Sequence, residues 1–143
     1  MSSGRNPPAN SVHALEEGEN LTLDFERFKT PAGMGVLPEA VQDIDTKTVL
    51  LIGHVNAAAL AHAMQNKVAT FWSASRNEIW VKGETSGNVL DLIEVRANCE
   101  QNSILYLVRL RKGGACHTKD SNGNYRLGCY YRKIKDGRLE RAS

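Results

Sequence analysis

Short runs of β-branched, aromatic and leucine residues, separated by polar stretches with glycine and asparagine turns, limit what this 143-residue chain can fold into. Residues 36–42, 49–52, 68–72, 79–82, 89–96, 104–110 and 130–134 are such runs, with Gly83, Gly87, Gly113-Gly114 and Asn122-Gly123 marking the turns between them. Leu21, Leu23 and Phe25 alternate with polar neighbours in the manner of a half-buried strand. One segment breaks the pattern. Residues 57–65 are rich in alanine, Asn56 stands where an N-cap belongs, and Leu60 and Met64 share a face at i,i+4 spacing, which predicts an amphipathic helix. The whole pattern predicts an α+β, mainly β domain with one main helix.

Residues 1–20 are polar, carry Pro7-Pro8 and show no apolar period, so they read as a flexible arm ahead of a single domain over 21–143. With 41% hydrophobic residues, the chain can bury a core without staples. No apolar run approaches the roughly 20 residues that span a bilayer, so no membrane partner is expected. Three cysteines cannot all pair within one chain, which predicts a reducing, cytoplasmic setting. A net charge of +2 gives no argument for a nucleic-acid partner. From Arg109 onward, however, Lys and Arg outnumber Asp120, Asp136 and Glu140 by seven. That excess fits either a solvated face and tail or a surface for a phosphate-bearing ligand.

The chemistry concentrates between Phe71 and Cys129. Both tryptophans and a polar Gly/Ser-rich loop lie in 71–88, ahead of Cys99, Cys116 and Cys129. Spacing alone leaves the cysteines open between small buried hydrophobes and a metal site, because no C-x2-C knuckle is present. Context favours the metal: Gly113-Gly114-Ala115 lets the backbone approach a ligand at Cys116, and His117 follows at once. Three thiolates would leave a tetrahedral zinc one open position, suited to a water whose pKa the metal lowers to about 7.

These residues carry a resemblance. The run Phe71-Trp72-Ser73-Ala74-Ser75-Arg76, continuing through Trp80-Val81-Lys82-Gly83-Glu84-Thr85-Ser86-Gly87-Asn88, resembles the signature of the phosphoribosyl-AMP cyclohydrolase family, as do Gly114-Ala115-Cys116-His117-Thr118 and the strands at 36–43 and 49–56. The resemblance implies that family's fold as an intertwined homodimer, with zinc on Cys99, Cys116 and Cys129 and each centre completed across the interface. It implies hydrolysis of the N1–C6 bond in the adenine ring of phosphoribosyl-AMP, a step of histidine biosynthesis. Three departures stand out. The family's D-C-D-x-D run, associated with magnesium, is matched here by Asn98-Cys99-Glu100-Gln101-Asn102, and amides are weaker ligands for a hard cation. The link at 118–128 is longer than usual, and Ala74 and His54 stand where an arginine and an aromatic are usual. A zinc hydrolase for another purine nucleotide, or a zinc-holding homologue without turnover, therefore remain alternatives.

Read as chemistry, N1 substitution makes the adenine ring cationic and open to water at C6. His117 is placed either to move the proton or to sit beside the metal as a structural histidine. His117, Lys82 and Glu84 are the catalytic candidates, and their retention argues against the inactive alternative. The nucleotide's two phosphates need cations and short donors, for which Arg76, Lys82, Ser75, Thr85, Ser86 and the Gly87 backbone are available. Trp72 and Trp80 serve either as core or as a stacking platform for the base, and Glu84 either acts or pairs with Lys82.

Overall fold

The computed structural model describes residues 14–142. Its elements are, in order, α1 (Ala14–Glu17), β1 (Phe28–Lys29), β2 (Gly35–Asp43), β3 (Val49–Val55), α2 (Ala57–Asn66), β4 (Thr70–Ser73), β5 (Glu78–Val81), β6 (Leu90–Ala97), β7 (Ile104–Leu110), β8 (Arg132–Lys135) and β9 (Arg138–Arg141). Strands dominate, as the short β-forming runs require.

The central sheet carries β2 between β3 and β7, with β6 beyond β7 and β1 on the start of β2. β2 and β7 run parallel, Glu39 facing Ile104 and Asp43 facing Val108, while the other pairings are antiparallel. Alternation sends Leu37, Glu39 and Val41 to the same face, and all three are buried. Phe71 and Tyr106 fill the space beneath, their rings 5.9 Å apart, and the Tyr106 hydroxyl donates to the Thr70 carbonyl at 2.9 Å. A small core built around two such rings gains about 1.5–3 kcal/mol from each large apolar side chain it removes from water.

α2 starts where the sequence places it: Asn56 Oδ1 accepts from the Ala59 N–H at 2.8 Å. Its buried residues are Ala59, Leu60 and Ala63, while Met64 is 48% exposed. The expected Leu60–Met64 face is therefore corrected. Alanines let the helix seat closely on the sheet, and Met64 lies about 100° round the axis from Ala63.

Two other expectations change, and a third lies largely outside the described residues. Leu21, Leu23 and Phe25 form no strand, because Gln101 takes the backbone N–H groups between them: Thr22 N–H donates to Gln101 Oε1 at 2.6 Å and Asp24 N–H to Gln101 O at 3.0 Å. The alternation is still physical, since Leu23 and Phe25 pack against the core. Of the arm expected over 1–20, residues 1–13 lie outside the described residues, whereas Ala14–Glu17 is a helical turn whose Leu15 carbonyl accepts from Gln101 Nε2. The strand expected at 130–134 begins instead at Arg132 and pairs with β9, which sequence reading left as charged tail. Asp136 and Gly137 both adopt positive φ, as a two-residue hairpin turn demands.

Candidate functional site

The segment after β7 folds into a small hairpin that explains the spacing of the last two cysteines. Ala115 N–H donates to Leu127 O, Cys116 N–H to Arg126 O and Arg126 N–H to Thr118 O, and Lys119 bridges to Tyr125. Asp120 closes the tip by accepting from the Asn122 and Asn124 N–H groups. The chain thus runs out and back, and Cys129 returns beside Cys116. Gly114 has to be glycine, since a Cβ there would lie 2.4 Å from the Arg126 carbonyl oxygen. Cys129 is anchored to the sheet through its N–H, which donates to Leu50 O at 2.7 Å.

Lys82 completes this cluster. It leaves the end of β5 buried, with its Nζ 5.7 Å from the centre of the Trp80 ring, and its charge partners are Cys129 and Cys116 rather than Glu84. Burial lowers the Lys82 pKa, and the two thiolates oppose that shift. Burial pushes the Cys116 thiol up, but hydrogen bonds from the Thr118 hydroxyl and N–H, the Cys129 thiol and the Lys82 charge together hold it below its ordinary value. Cys129 moves the other way: burial and the neighbouring Cys116 raise it, against Lys82. The two thiols are therefore driven in opposite directions, Cys116 down and Cys129 up, with the Lys82 charge favouring the thiolate form of both.

Cys99 is elsewhere. It is exposed in the turn between β6 and β7, before β7 begins, whereas Cys116 follows β7's end. β7 itself spans about 20 Å. Among the described residues no three His, Cys, Asp or Glu side chains gather around one point that a metal could occupy. The positions matched to magnesium are tied into the turn: Asn98 Oδ1 accepts from the N–H groups of Asn102 and Ser103 at 2.8 and 2.9 Å, and Asn98 Nδ2 donates to Asn102 Oδ1 at 2.6 Å. Glu100 is exposed beside them.

The remaining candidates form two groups. Ser75 and Arg76 occupy the β4–β5 turn, four strand residues away from Lys82, where Arg76 pairs with Glu78 at 3.5 Å and bonds Ser73. Glu84, Thr85 and Ser86 are exposed in the loop after Lys82, and His117 is exposed beside Cys116. Gly87 N–H donates to Gly83 O at 2.8 Å, so the loop's donors are the Thr85 and Ser86 hydroxyls. Trp80 is half-buried, 5.4 Å from Phe71, and packs on the core. Trp72 packs there too, with its Nε1 buried and unpartnered.

Sequence reading missed three residues. Thr118 bonds the Cys116 sulfur at 2.9 Å, and Arg126 holds Thr118 at 3.1 Å. Lys112 brings its Nζ to 2.7 Å from where a Cβ on Gly87 would stand, across a cleft of about 490 Å³ lined also by Ser86, Asn88 and Asn124. Thr118 stood in the quoted Gly114–Thr118 run, so its signal was available, whereas Arg126 and Lys112 depend on the hairpin's course.

Comparison with known proteins decides the family. A model described as phosphoribosyl-AMP cyclohydrolase matches residues 51–130. The chain belongs to the phosphoribosyl-AMP cyclohydrolase family. Curated family members named phosphoribosyl-AMP cyclohydrolase include one from Hyphomonas neptunium, 39% identical over 93% of this chain and 92% of its own length. Another, from Caulobacter vibrioides, is 38% identical over 97% of this chain and 92% of its own. The cyclohydrolase from Archaeoglobus fulgidus is 43% identical over 71% of this chain and 87% of its own. The family match includes the Lys82, Cys116 and His117 region, and no helix among the described residues is long and apolar enough to cross a membrane.

Proposed function

We propose that this chain hydrolyses the N1–C6 bond of phosphoribosyl-AMP in histidine biosynthesis, as a homodimer whose two zinc centres each take Cys116 and Cys129 from one copy and Cys99 from the other. The observation that carries the reading is the division of the cysteines: two thiols adjacent and facing a buried lysine, the third exposed before β7 and in no three-ligand cluster among the described residues. The donor set suits zinc, since thiols near enough to share a proton approach the ~3.8 Å sulfur separation that Zn–S bonds of ~2.3 Å imply. Zinc held there would supply a Lewis acid able to lower the pKa of a water to about 7.

The chain's own residues account for the rest. Lys82 balances the charge on the thiolates and, packed against Trp80, holds the floor of the site. Water adds at C6 of the cationic ring, the N1–C6 bond breaks, and His117, exposed beside Cys116, delivers the proton that N1 needs. Glu84, exposed two residues after Lys82, faces solvent where it can orient the attacking water. Ser86 and Lys112, across one cleft, together with Thr85, offer a phosphate both donors and charge. Arg76 and Ser75, in the turn between β4 and β5, would supply the charge and donor for the second phosphate.

Mixing inactive variants tests this. Cys99→Ser and Cys116→Ser chains should each be inactive on phosphoribosyl-AMP. After exchange, a mixed dimer regains one intact centre of two, so about a quarter of the normal activity returns. No recovery, with mixed dimers present, overturns the shared centre. Turnover absent in the unmodified protein, or present only on another purine nucleotide, overturns the substrate.

A further inference from the structure

The two ends of the described chain carry opposite charge, and each leaves apolar side chains uncovered. Residues 14–26 contain no Lys or Arg. Glu16, Glu17 and Asp24 are exposed there, and Leu15 and Leu21 are 43% and 72% exposed. At the other end every residue of β8 and β9 is exposed. Their register places Arg132, Ile134, Leu139 and Arg141 on one face, with Ile134 82% exposed, while Lys133 and Glu140 pair on the other face at 3.4 Å. No other helix or strand packs closely on this hairpin among the described residues. A lone two-stranded hairpin is marginally stable in water, and this one offers an apolar pair flanked by two guanidiniums.

The position of each end matters as much as its charge. Gln101 straps the acidic segment to the Cys99 turn through Leu15, Asn20, Thr22 and Asp24. The basic hairpin follows Cys129 directly, its base fixed by Tyr131 under Arg126 at 4.1 Å and by the Ala142 N–H on Tyr131 O. Within one chain β7 separates these ends. A centre that joined Cys99 of one copy to Cys116 and Cys129 of another would bring the acidic segment towards the basic hairpin.

We infer that residues 14–26 of one copy dock on the Arg132–Ile134–Leu139–Arg141 face of a second copy, making two symmetry-related clamps over the shared centres. The inference rests on the shared-centre reading of the proposed function. Leu15 and Leu21 cover Ile134 and Leu139, and Glu16 and Glu17 face the guanidiniums. Such charges fix partner and orientation and make the contact sensitive to salt.

The test measures dimer dissociation by sedimentation equilibrium at low and high salt, with zinc per chain and melting curves on the same samples. Glu16→Lys with Glu17→Lys should raise the dimer Kd about tenfold at low salt, and Arg132→Glu with Arg141→Glu should do the same. All four together restore the opposition of charge and should return Kd to within about threefold of the unmodified chain. Unchanged Kd in both pairs, or a fourfold variant weaker than either pair, overturns the clamp while dimer and zinc persist. An unmodified chain that stays monomeric with zinc bound overturns the shared centre and the clamp with it. A second readout does not depend on charge reversal: Leu15→Cys chains mixed with Leu139→Cys chains and treated with copper phenanthroline should give a mixed disulfide mapped to residues 15 and 139. Absence of that link overturns the docking.

Discussion

Cys116 and Cys99 differ in nearly every physical respect, although one strand separates them. Cys116 is buried, held by Thr118 and Cys129, and faced by Lys82. Cys99 is exposed on a turn that Asn98 stiffens with three side-chain hydrogen bonds. The first arrangement is costly unless charge meets charge, because a thiolate or an ammonium buried alone loses its solvation. The second asks nothing of the core. One half of the proposed centre would thus be preorganised within the chain, and the other presented on a stiffened turn to whatever arrives.

The largest expected effect tests whether the halves belong together. Cys116→Ser should reduce zinc from about one per chain to near zero and turnover to background, and Cys99→Ser should do the same despite its distance. Elemental analysis beside the ring-opening assay reads both. Zinc retained by Cys99→Ser but lost by Cys116→Ser would separate the halves and leave Cys99 without a metal role. His117→Ala probes the preorganised half more finely. Zinc and melting temperature should stay, while kcat falls roughly 10²–10⁴-fold with little change in KM. Near-normal kcat would reduce His117 to a bystander.

How much of this was legible in the sequence follows from the range of each interaction. Asn56 and the alanine segment after it fixed α2 because capping and helical period are local, and the runs at 36–42 and 104–110 read as strands for the same reason. Leu21 to Phe25 misled, since the alternation reports burial while the hydrogen-bond partner, Gln101, lies about eighty residues on. β9 was hidden by its charge, although Asp136-Gly137 was a turn signal in plain view. The resemblance located the cysteines, yet neither spacing nor resemblance could say which two meet within one chain. That depends on the out-and-back course of 115–127, and on β7 keeping Cys99 away.

A buried charge with side-chain partners invites comparison with one that has none. Lys82 faces two thiols, whereas Glu39, only 1% exposed on β2, has no side-chain partner among the described residues and meets only the Tyr106 backbone, at poor geometry. Burial pushes the Glu39 pKa up to about 9, only weakly opposed by the Tyr106 backbone, and Glu39 in turn adds to the burial that raises Tyr106. Because the folded pKa lies above the unfolded one, the folded state holds the extra proton. Glu39's contribution is therefore fully favourable below about pH 4.5, declines as pH rises, and levels off above about 9. Glu39→Gln keeps the neutral shape and should remove that decline, gaining about 3 kcal/mol over the unmodified chain at pH 7 and nothing near pH 4. Denaturant melts across pH measure the difference, and parallel curves would mean that water or a partner satisfies Glu39.

The smallest expected effect returns to the Cys99 turn, where sequence and structure bear on the same cation. Both side-chain oxygens of Asn98 and Asn102 already accept hydrogen bonds, so magnesium would have to displace turn contacts to bind amides that are poor ligands for it. Asn98→Asp with Asn102→Asp changes the balance. The Nδ2 donor between the two side chains disappears, two carboxylates face each other, and a divalent cation between them relieves the repulsion. At magnesium about ten times its Kd, binding to the folded state alone should add about 1.4 kcal/mol to the doubly substituted protein. The unmodified chain should gain almost nothing. Paired thermal melts with and without magnesium read the difference, with calcium as a control for ion size. An equal gain in the unmodified chain would place the ion on other ligands, and then the rigid turn presents Cys99 without help from a second metal.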